Sequence, residues 1–437
     1  MGPELPAFAP VARLRPVTLA RPRVALGRAP YAAAEASLAG GAGEVSLTSG
    51  EDGFSATWDG STVAITSTLA GKQRRHVSRR HGGGRDPDAL AITLTGPRVA
   101  ALAHEDGAWV VRAVLDLTHT TDAPDVHDES WLAGLTGRGD RVGGFGQLGL
   151  RDLRVVTHAD GTPYDSAAGT SGALGAEVLL TATSAGPGGF RTAHTSVWAL
   201  DPVQLSLEHR ADLYFRRPDR PGVYGDHATH LLRDGDRWLV ATSTWGTFDT
   251  RRDPHVTTTL AGSSADLTRG THVLDTVPLR LPTTGLRSVG VWDPHLVRTD
   301  DGWLAAYVSA RKFFSFHPVV AAGPDLEGLV LRSAATGRTA TEGPTLTRVG
   351  DTWWVLASDG RDGRTGTRGG EPATYPVLDL DLRQHGTLRA RYPTNIPWPT
   401  IVEHTGGNLL VGFDATPYGG PLPGYGTHGE VVLQRAR

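Results

Sequence analysis

One unit recurs from about Arg141 to Arg437 and limits what this 437-residue chain can fold into. A leading residue opens a short apolar strand, a Gly/Asp turn follows, and a second, often aromatic, strand completes the unit. Glu342-Gly343-Pro344-Thr345-Leu346 runs into Trp353-Trp354-Val355-Leu356, and Asp293-Pro294-His295-Leu296 runs into Asp301-Gly302-Trp303-Leu304. Asp226, with His230-Leu231-Leu232, leads to Asp234-Gly235-Asp236-Arg237-Trp238, and Trp398-Pro399-Thr400-Ile401 leads to Gly406-Gly407-Asn408-Leu409. Asp152-Leu153-Arg154-Val155-Val156 heads a less regular first copy. The leads lie 49 to 74 residues apart, room for four short strands and their turns, and repeats of four-stranded sheets are what build a propeller. The chain therefore reads as all-β, with a five-bladed β-propeller over residues 141–437. A Gly/Ser/Ala-rich insertion, roughly His158 to Gly175, is expected as a loop on the propeller face.

Upstream, short strands between Gly43 and Thr118 are divided by Gly/Asp turns and show the alternation of half-buried antiparallel strands. They predict a small β-sandwich over residues 41–140 that ends in a polar linker, Thr120 to Gly139. Residues 1–40 read as an N-terminal extension with weak structure signals, and Lys72 to Pro87 as an exposed, solvated loop. The sandwich either binds sugar or only walls one side of a cleft. The first strands are also placed to complete the last blade, since closure removes exposed edges.

Composition excludes several classes. The net charge of −3 argues against nucleic-acid or anionic-membrane partners. With no cysteine, disulfides, thiolate catalysis and Cys-ligated metals are excluded. No apolar run approaches the ~18 residues of a membrane span. Met1 to Pro30 lacks an apolar signal core, which gives a cytoplasmic expectation, or a secreted one if a leader has been trimmed.

In a propeller the innermost strands line the central channel, so acidic leads from different blades crowd at one mouth. Crowded carboxyls repel, at least one is raised, and a raised carboxyl beside an ionised one divides the work of general acid and general base. Glycoside hydrolysis needs that division. The bland alternative is that Asp at a strand start caps local N–H groups. It is preferred for the turn residues Asp234, Asp236, Asp300 and Asp301. Sugars also stack on flat apolar faces. Trp245, Phe313, Phe314 and Trp398 lie near the module mouths, whereas Trp238, Trp303, Trp353 and Trp354 lie within second strands and read as core.

The Asp293-Pro294-His295-Leu296 and Glu342-Gly343-Pro344-Thr345-Leu346 segments, each with its following strand, resemble glycoside hydrolase family 43, over roughly the last 295 residues. That family has a five-bladed propeller and includes arabinofuranosidases, xylosidases and arabinanases. The resemblance implies an inverting glycosidase on a furanosidic or xylosidic linkage, with an oligosaccharide or polysaccharide as partner. Glu342 would be the general acid, Asp293 the orienting, pKa-setting carboxylate, and Asp152 the base, with Asp226 as the substitute candidate because Leu153 stands where the family shows proline. Asp226, His230, Trp245, Phe313 and Trp398 make up the expected substrate-binding set. Many relatives hold an axial calcium, with histidine leading the fifth module. Here Trp398 leads it, and His230, His295 and His428 read as ordinary hydrogen-bonded histidines. No tightly bound metal or other cofactor is expected, although an axial calcium stays open. A retaining fructosidase-type hydrolase, a glycoside phosphorylase and a non-catalytic carbohydrate-binding propeller remain as alternatives.

Overall fold

The computed structural model describes residues 2–437 except 39–40, 85, 165–176, 314, 361–372, 395 and 405. The expected insertion therefore lies largely outside the described residues, as does Phe314. Among the described residues the C-terminal part forms a ring of five blades, each of four antiparallel strands, the first two joined into one sheet because Ser206–Arg217 pairs in parallel with Gly270–Pro278. From the channel outwards, the first blade is Gly149–Val155, Val178–Ala185, His194–Asp201 and Ser206–Arg217. The second is His227–Asp234, Arg237–Ser243, Thr258–Ser263 and Gly270–Pro278, and the third is Gly290–Thr299, Gly302–Lys312, Ser315–Gly323 and Val330–Ala334. The fourth is Thr341–Val349, Thr352–Asp359, Pro376–Leu378 and Gln384–Thr387.

The fifth blade draws on both ends of the chain. Thr400–Val402, Leu409–Asp414 and Glu430–Ala436 are completed by Phe8–Leu14, with Phe8 opposite Ala436 and Leu14 opposite Val431. Residues 1–40 are thus not structureless. Besides this closing strand they hold Thr18–Arg21 and Tyr31–Ser37, both in the sandwich. Weak propensity misled here because the strand sequence FAPVARL carries proline, which an outermost strand tolerates.

The sandwich pairs a six-stranded sheet, ordered Ala108–Asp116, Arg98–Glu105, Ala89–Thr95, Tyr31–Ser37, Arg141–Gln147, Thr18–Arg21, with a five-stranded sheet running from Leu135–Arg138 to Lys72–His76. Three details differ from expectation. The supposed linker holds a short helix, Glu129–Ala133, capped by Asp128, and then the strand Leu135–Arg138. The supposed loop begins as a hairpin strand, Lys72–His76. Residues 90–94 and 99–103 are buried on both faces rather than alternating. The last has a simple cause: one face of the six-stranded sheet covers its partner sheet, and the other packs on the first blade. Tyr31 stacks on Tyr214 at 5.3 Å and donates to the Ala193 carbonyl at 2.8 Å. A sheet covered on both faces reads as continuous apolar runs, such as Leu90-Ala91-Ile92.

A buried charge fixes the same junction. Asp212 of the first blade accepts from Arg21 of the sandwich at 2.8 Å and meets His194 and His209 at 3.0 and 2.9 Å. Burial alone would raise this carboxyl, but the Arg21 cation and the two imidazoles hold it well below its ordinary value. Such a pair stabilises only because its remaining acceptor positions are filled.

Candidate active site

The innermost strands of the first four blades share one irregularity. Each has a bulge where pairing slips, between Arg151 and Arg154, His227 and His230, Trp292 and His295, and Glu342 and Thr345. At each bulge one residue enters the left-handed region: Asp152 at φ 54°, Ala228 at 61°, Asp293 at 58° and Gly343 at 64°. A bulge re-aims the side chains beside it, and a non-glycine residue held left-handed marks a position that the surroundings over-determine. Asp tolerates this conformation better than most residues, because its short side chain bonds locally. Gly343 is required twice over, since a Cβ there would lie 2.3 Å from the Trp398 ring.

The bulges converge on one cavity of about 310 Å³. Asp152, Asp293 and Glu342, from three different blades, line it together. So do Trp245, Phe313 and Trp398 from the expected binding set. Asp226 does not. Its carboxylate takes a bidentate pair of bonds from Arg217, 2.7 Å on the Nε side, and also accepts the Gly246 N–H at 3.0 Å. Its two oxygens are therefore engaged in holding the second blade, and the bulge of that blade belongs to His227 and Ala228. The alanine leaves space where the neighbouring blades put carboxyls.

His230 is also turned to structural use. It stacks on His295 at 4.1 Å, meets Thr157 Oγ1 at 3.2 Å, and its Nδ1 accepts the Leu296 N–H at 3.2 Å. Burial and the nearby Arg154 cation keep both imidazoles far below their ordinary pKa, hence neutral. Trp238, Trp303, Trp353 and Trp354 stay outside the cavity, as core reading implies.

Sequence reading missed several contributors. Arg151 lines the cavity, lies 3.5 Å from Asp152 and donates to the Gly426 carbonyl at 2.7 Å. Trp292 lines the cavity with Glu342 and draws the pKa of that carboxyl down. His227 and Phe190 complete the wall, Phe190 stacking on Trp245 at 4.6 Å. Aligning the copies on their bulges, not on their acids, would have flagged Arg151, His227 and Trp292 together, because they occupy equivalent positions before the bulge.

Arg154, also missed, lies fully buried near the axis. From the first blade it donates to the Asp293 carbonyl at 3.1 Å, and to the Pro344 carbonyl and Thr345 Oγ1 at 3.0 Å each, while its guanidinium lies 4.4 Å from the Trp398 ring. It thus joins four blades. These contacts also test an axial metal. A hard cation would need such oxygens, but here they already accept from a fixed cation, which would repel a second one. The residues present do not fit an axial calcium, and the described residues contain no cluster of three or more His, Cys, Asp or Glu that could hold a metal.

The electrostatics separate the carboxyls. Burial, reinforced by the Asp152 charge, raises Glu342 to about 8 against the opposing pull of Trp292 and Arg151. Asp293 is pushed well above its ordinary value by burial, Glu342 and Asp152, opposed by Arg154 and the Gly343 N–H. Asp152 is raised by burial too, but it has the strongest cationic support: Arg151 first, then a bond from Thr183, then Arg154. At neutral pH Glu342 is a protonated acid, and Asp152 is the carboxyl best placed to carry the negative charge.

No family model matches the sequence, and no curated protein matches it. Among solved structures the chain is similar to a GH43 β-xylosidase/α-arabinofuranosidase from a compost microbial metagenome, 12% identical over 66% of this chain and 91% of that one, with a TM-score of 0.39. It is similar to the native arabinanase of Bacillus subtilis, 13% identical over 66% and 94%, TM-score 0.39. It is also similar to the GH32 β-fructofuranosidase of Bombyx mori, 15% identical over 66% and 60%, TM-score 0.44.

Proposed function

We propose that the cavity hydrolyses a glycosidic bond by inverting general acid/base catalysis, on a furanosidic or xylosidic substrate. The observation that carries this reading is the meeting of Asp152, Asp293 and Glu342, from three blades, on one aromatic-walled cavity. Glu342 gives its proton to the leaving oxygen, so that the departing sugar leaves as a neutral alcohol. Asp152 takes a proton from the water that attacks the anomeric carbon on the opposite face. Asp293, bonded to the Gly343 N–H at 3.3 Å, orients the sugar and fixes the strand that carries Glu342. Trp245, Phe313 and Trp398 offer flat apolar faces for ring C–H groups.

The test is a panel of nitrophenyl glycosides (α-L-arabinofuranoside, β-D-xyloside, α-D-arabinofuranoside, β-D-galactofuranoside), with the anomer first released followed by NMR. Release of the opposite anomer, abolished in Asp152→Asn, is the expected result. Retention of configuration would replace this mechanism with a covalent one, and turnover of none of them would remove the reading.

One observation favours a second reading. The Arg151 guanidinium shares the cavity wall with Asp152 and is a cation that a phosphate co-substrate would need, beside His227 and His428, which burial keeps neutral. Turnover that depends on inorganic phosphate and yields a sugar phosphate would establish phosphorolysis in place of hydrolysis.

A further inference from the structure

We infer that the N-terminal sandwich builds part of a second saccharide subsite, which receives the leaving sugar beside the catalytic cavity; this rests on the glycosidase reading above. A second cavity of about 290 Å³ adjoins the first, and Phe190 and Tyr425 line both. The sandwich contributes Pro97, Arg98 and Asp116 to it, and the propeller contributes Arg191, Asp249 and Thr250.

Its chemistry differs from that of the first cavity. The catalytic cavity is mostly aromatic and its volume is at the lower end of small-ligand sites, room for little more than one sugar ring. In the second cavity two guanidiniums face two carboxylates, so the charges cancel. A neutral ligand rich in hydroxyls suits such a wall, because each hydroxyl can donate to a carboxylate and accept from a guanidinium. A charged ligand would find one half of the wall repulsive.

The four charged groups are not equally committed. Arg191 donates to Thr118 Oγ1 at 2.7 Å and to Asp116 Oδ2 at 3.0 Å. Asp116 also accepts the Thr118 N–H at 3.0 Å. Arg98 has one ion-pair contact among the described residues, Asp116 at 3.7 Å, and its side chain is 23% exposed. A guanidinium has five donors, so Arg98 is the group with bonds left to offer. It stands just after the Gly96-Pro97 turn that joins Ala89–Thr95 to Arg98–Glu105. Phe190 continues from the catalytic cavity as a platform between the two sites. By contrast, the groove between Ala108–Val110 and the 417–424 loop has no charged side chain to read a sugar.

The test compares two substrates of the same glycone: the nitrophenyl glycoside that the wild type cleaves, and disaccharides in which a sugar replaces the nitrophenyl group. Arg98→Ala should lower kcat/KM on the cleaved disaccharide about tenfold, as loss of one charge-assisted hydrogen bond does, and leave the nitrophenyl value unchanged. Arg98→Lys, which keeps a cation able to donate to a hydroxyl, should recover part of the disaccharide value, a rescue that a misfolded Arg98→Ala would not explain. An equal loss on both substrates, or on neither, overturns the subsite and leaves the glycosidase reading standing. So does a wild type that cleaves nitrophenyl glycosides but no disaccharide. A wild type that cleaves no glycoside removes both.

Discussion

Asp152 and Asp293 occupy the same place in two different blades: each is the left-handed residue of an innermost-strand bulge, at φ 54° and 58°. The equivalent place in the second blade is Ala228, and in the fourth it is Gly343, with Glu342 just before it. A four-fold repeat of one backbone device has thus been filled with two carboxylates, one space and one glycine. The backbone positions the site, and the side chains decide what it does.

Glu342 should trade stability for activity. Its carboxyl is raised from 4.5 to about 8, so between those values the folded state binds a proton that the unfolded state has released. Folding stability therefore falls as pH rises through this window, and Glu342→Gln removes the fall. Thermal melts should show the variant gaining on wild type from pH 5 to pH 8 and no further above it. The same proton is the one donated in catalysis, so wild-type kcat/KM should fall about tenfold per pH unit above 8, and the variant should lose about 10²- to 10⁴-fold. A variant with wild-type turnover would take Glu342 out of the chemistry.

The repeat was legible in sequence because strand, turn and aromatic strand recur with regular punctuation, and with it the acids Asp293 and Glu342. Asp226 misled for a definite reason: an acid before a strand looks the same whether it faces a channel or an Arg217 nine residues away. Arg154 was invisible because its partners are mainly backbone carbonyls of blades about 140 and 190 residues downstream, which leave no local pattern. Closure of the last blade by early strands was expected, but Phe8–Leu14, interrupted by Pro10 and paired with the other end of the chain, did not read as the strand that does it.

Arg154 should behave as a built-in axial cation. Arg154→Met leaves the Asp293 and Pro344 carbonyls without their donor and should cost about 3–5 kcal/mol in stability, the usual effect of breaking a buried charge network. Its charge also opposes the rise of Asp152 and Asp293. Without it both carboxyls move further up, so the acid limb of the pH–rate profile should shift to higher pH in the folded variant. For the wild type, EDTA and added calcium should leave the melting temperature unchanged. A melting temperature lowered by EDTA and restored by calcium would contradict this assignment.

Asp226 should matter to folding and not to turnover. Asp226→Asn leaves the buried Arg217 without its charge partner, and side chains at both positions are almost fully inaccessible. The expected loss is again about 3–5 kcal/mol, read from urea unfolding. Activity per folded molecule, measured well below the melting temperature, should stay near wild type, because the carboxylate does not reach the cavity. A large fall in kcat with unchanged stability would return Asp226 to the list of candidate bases.

Removal of residues 1–14 should open the ring. Phe8–Leu14 covers the Glu430–Ala436 strand, and Arg13 holds it there through Asp414 at 2.6 Å and through Glu430. Its loss exposes a row of unpaired N–H and C=O groups, a template for pairing with another chain. Phe8 also packs in the same apolar cluster as Trp354, Leu356 and Leu410, so the truncation uncovers apolar surface between the fourth and fifth blades. Because Trp398, which precedes the fifth blade's innermost strand, packs against Gly343, loosening that blade should reach the active site. The truncated protein should melt lower, self-associate by light scattering, and lose activity in parallel. Restoring residues 1–14 as a separate peptide should recover part of each property, whereas a truncated protein that stays monomeric with an unchanged melting temperature would show that the strand is dispensable for closure.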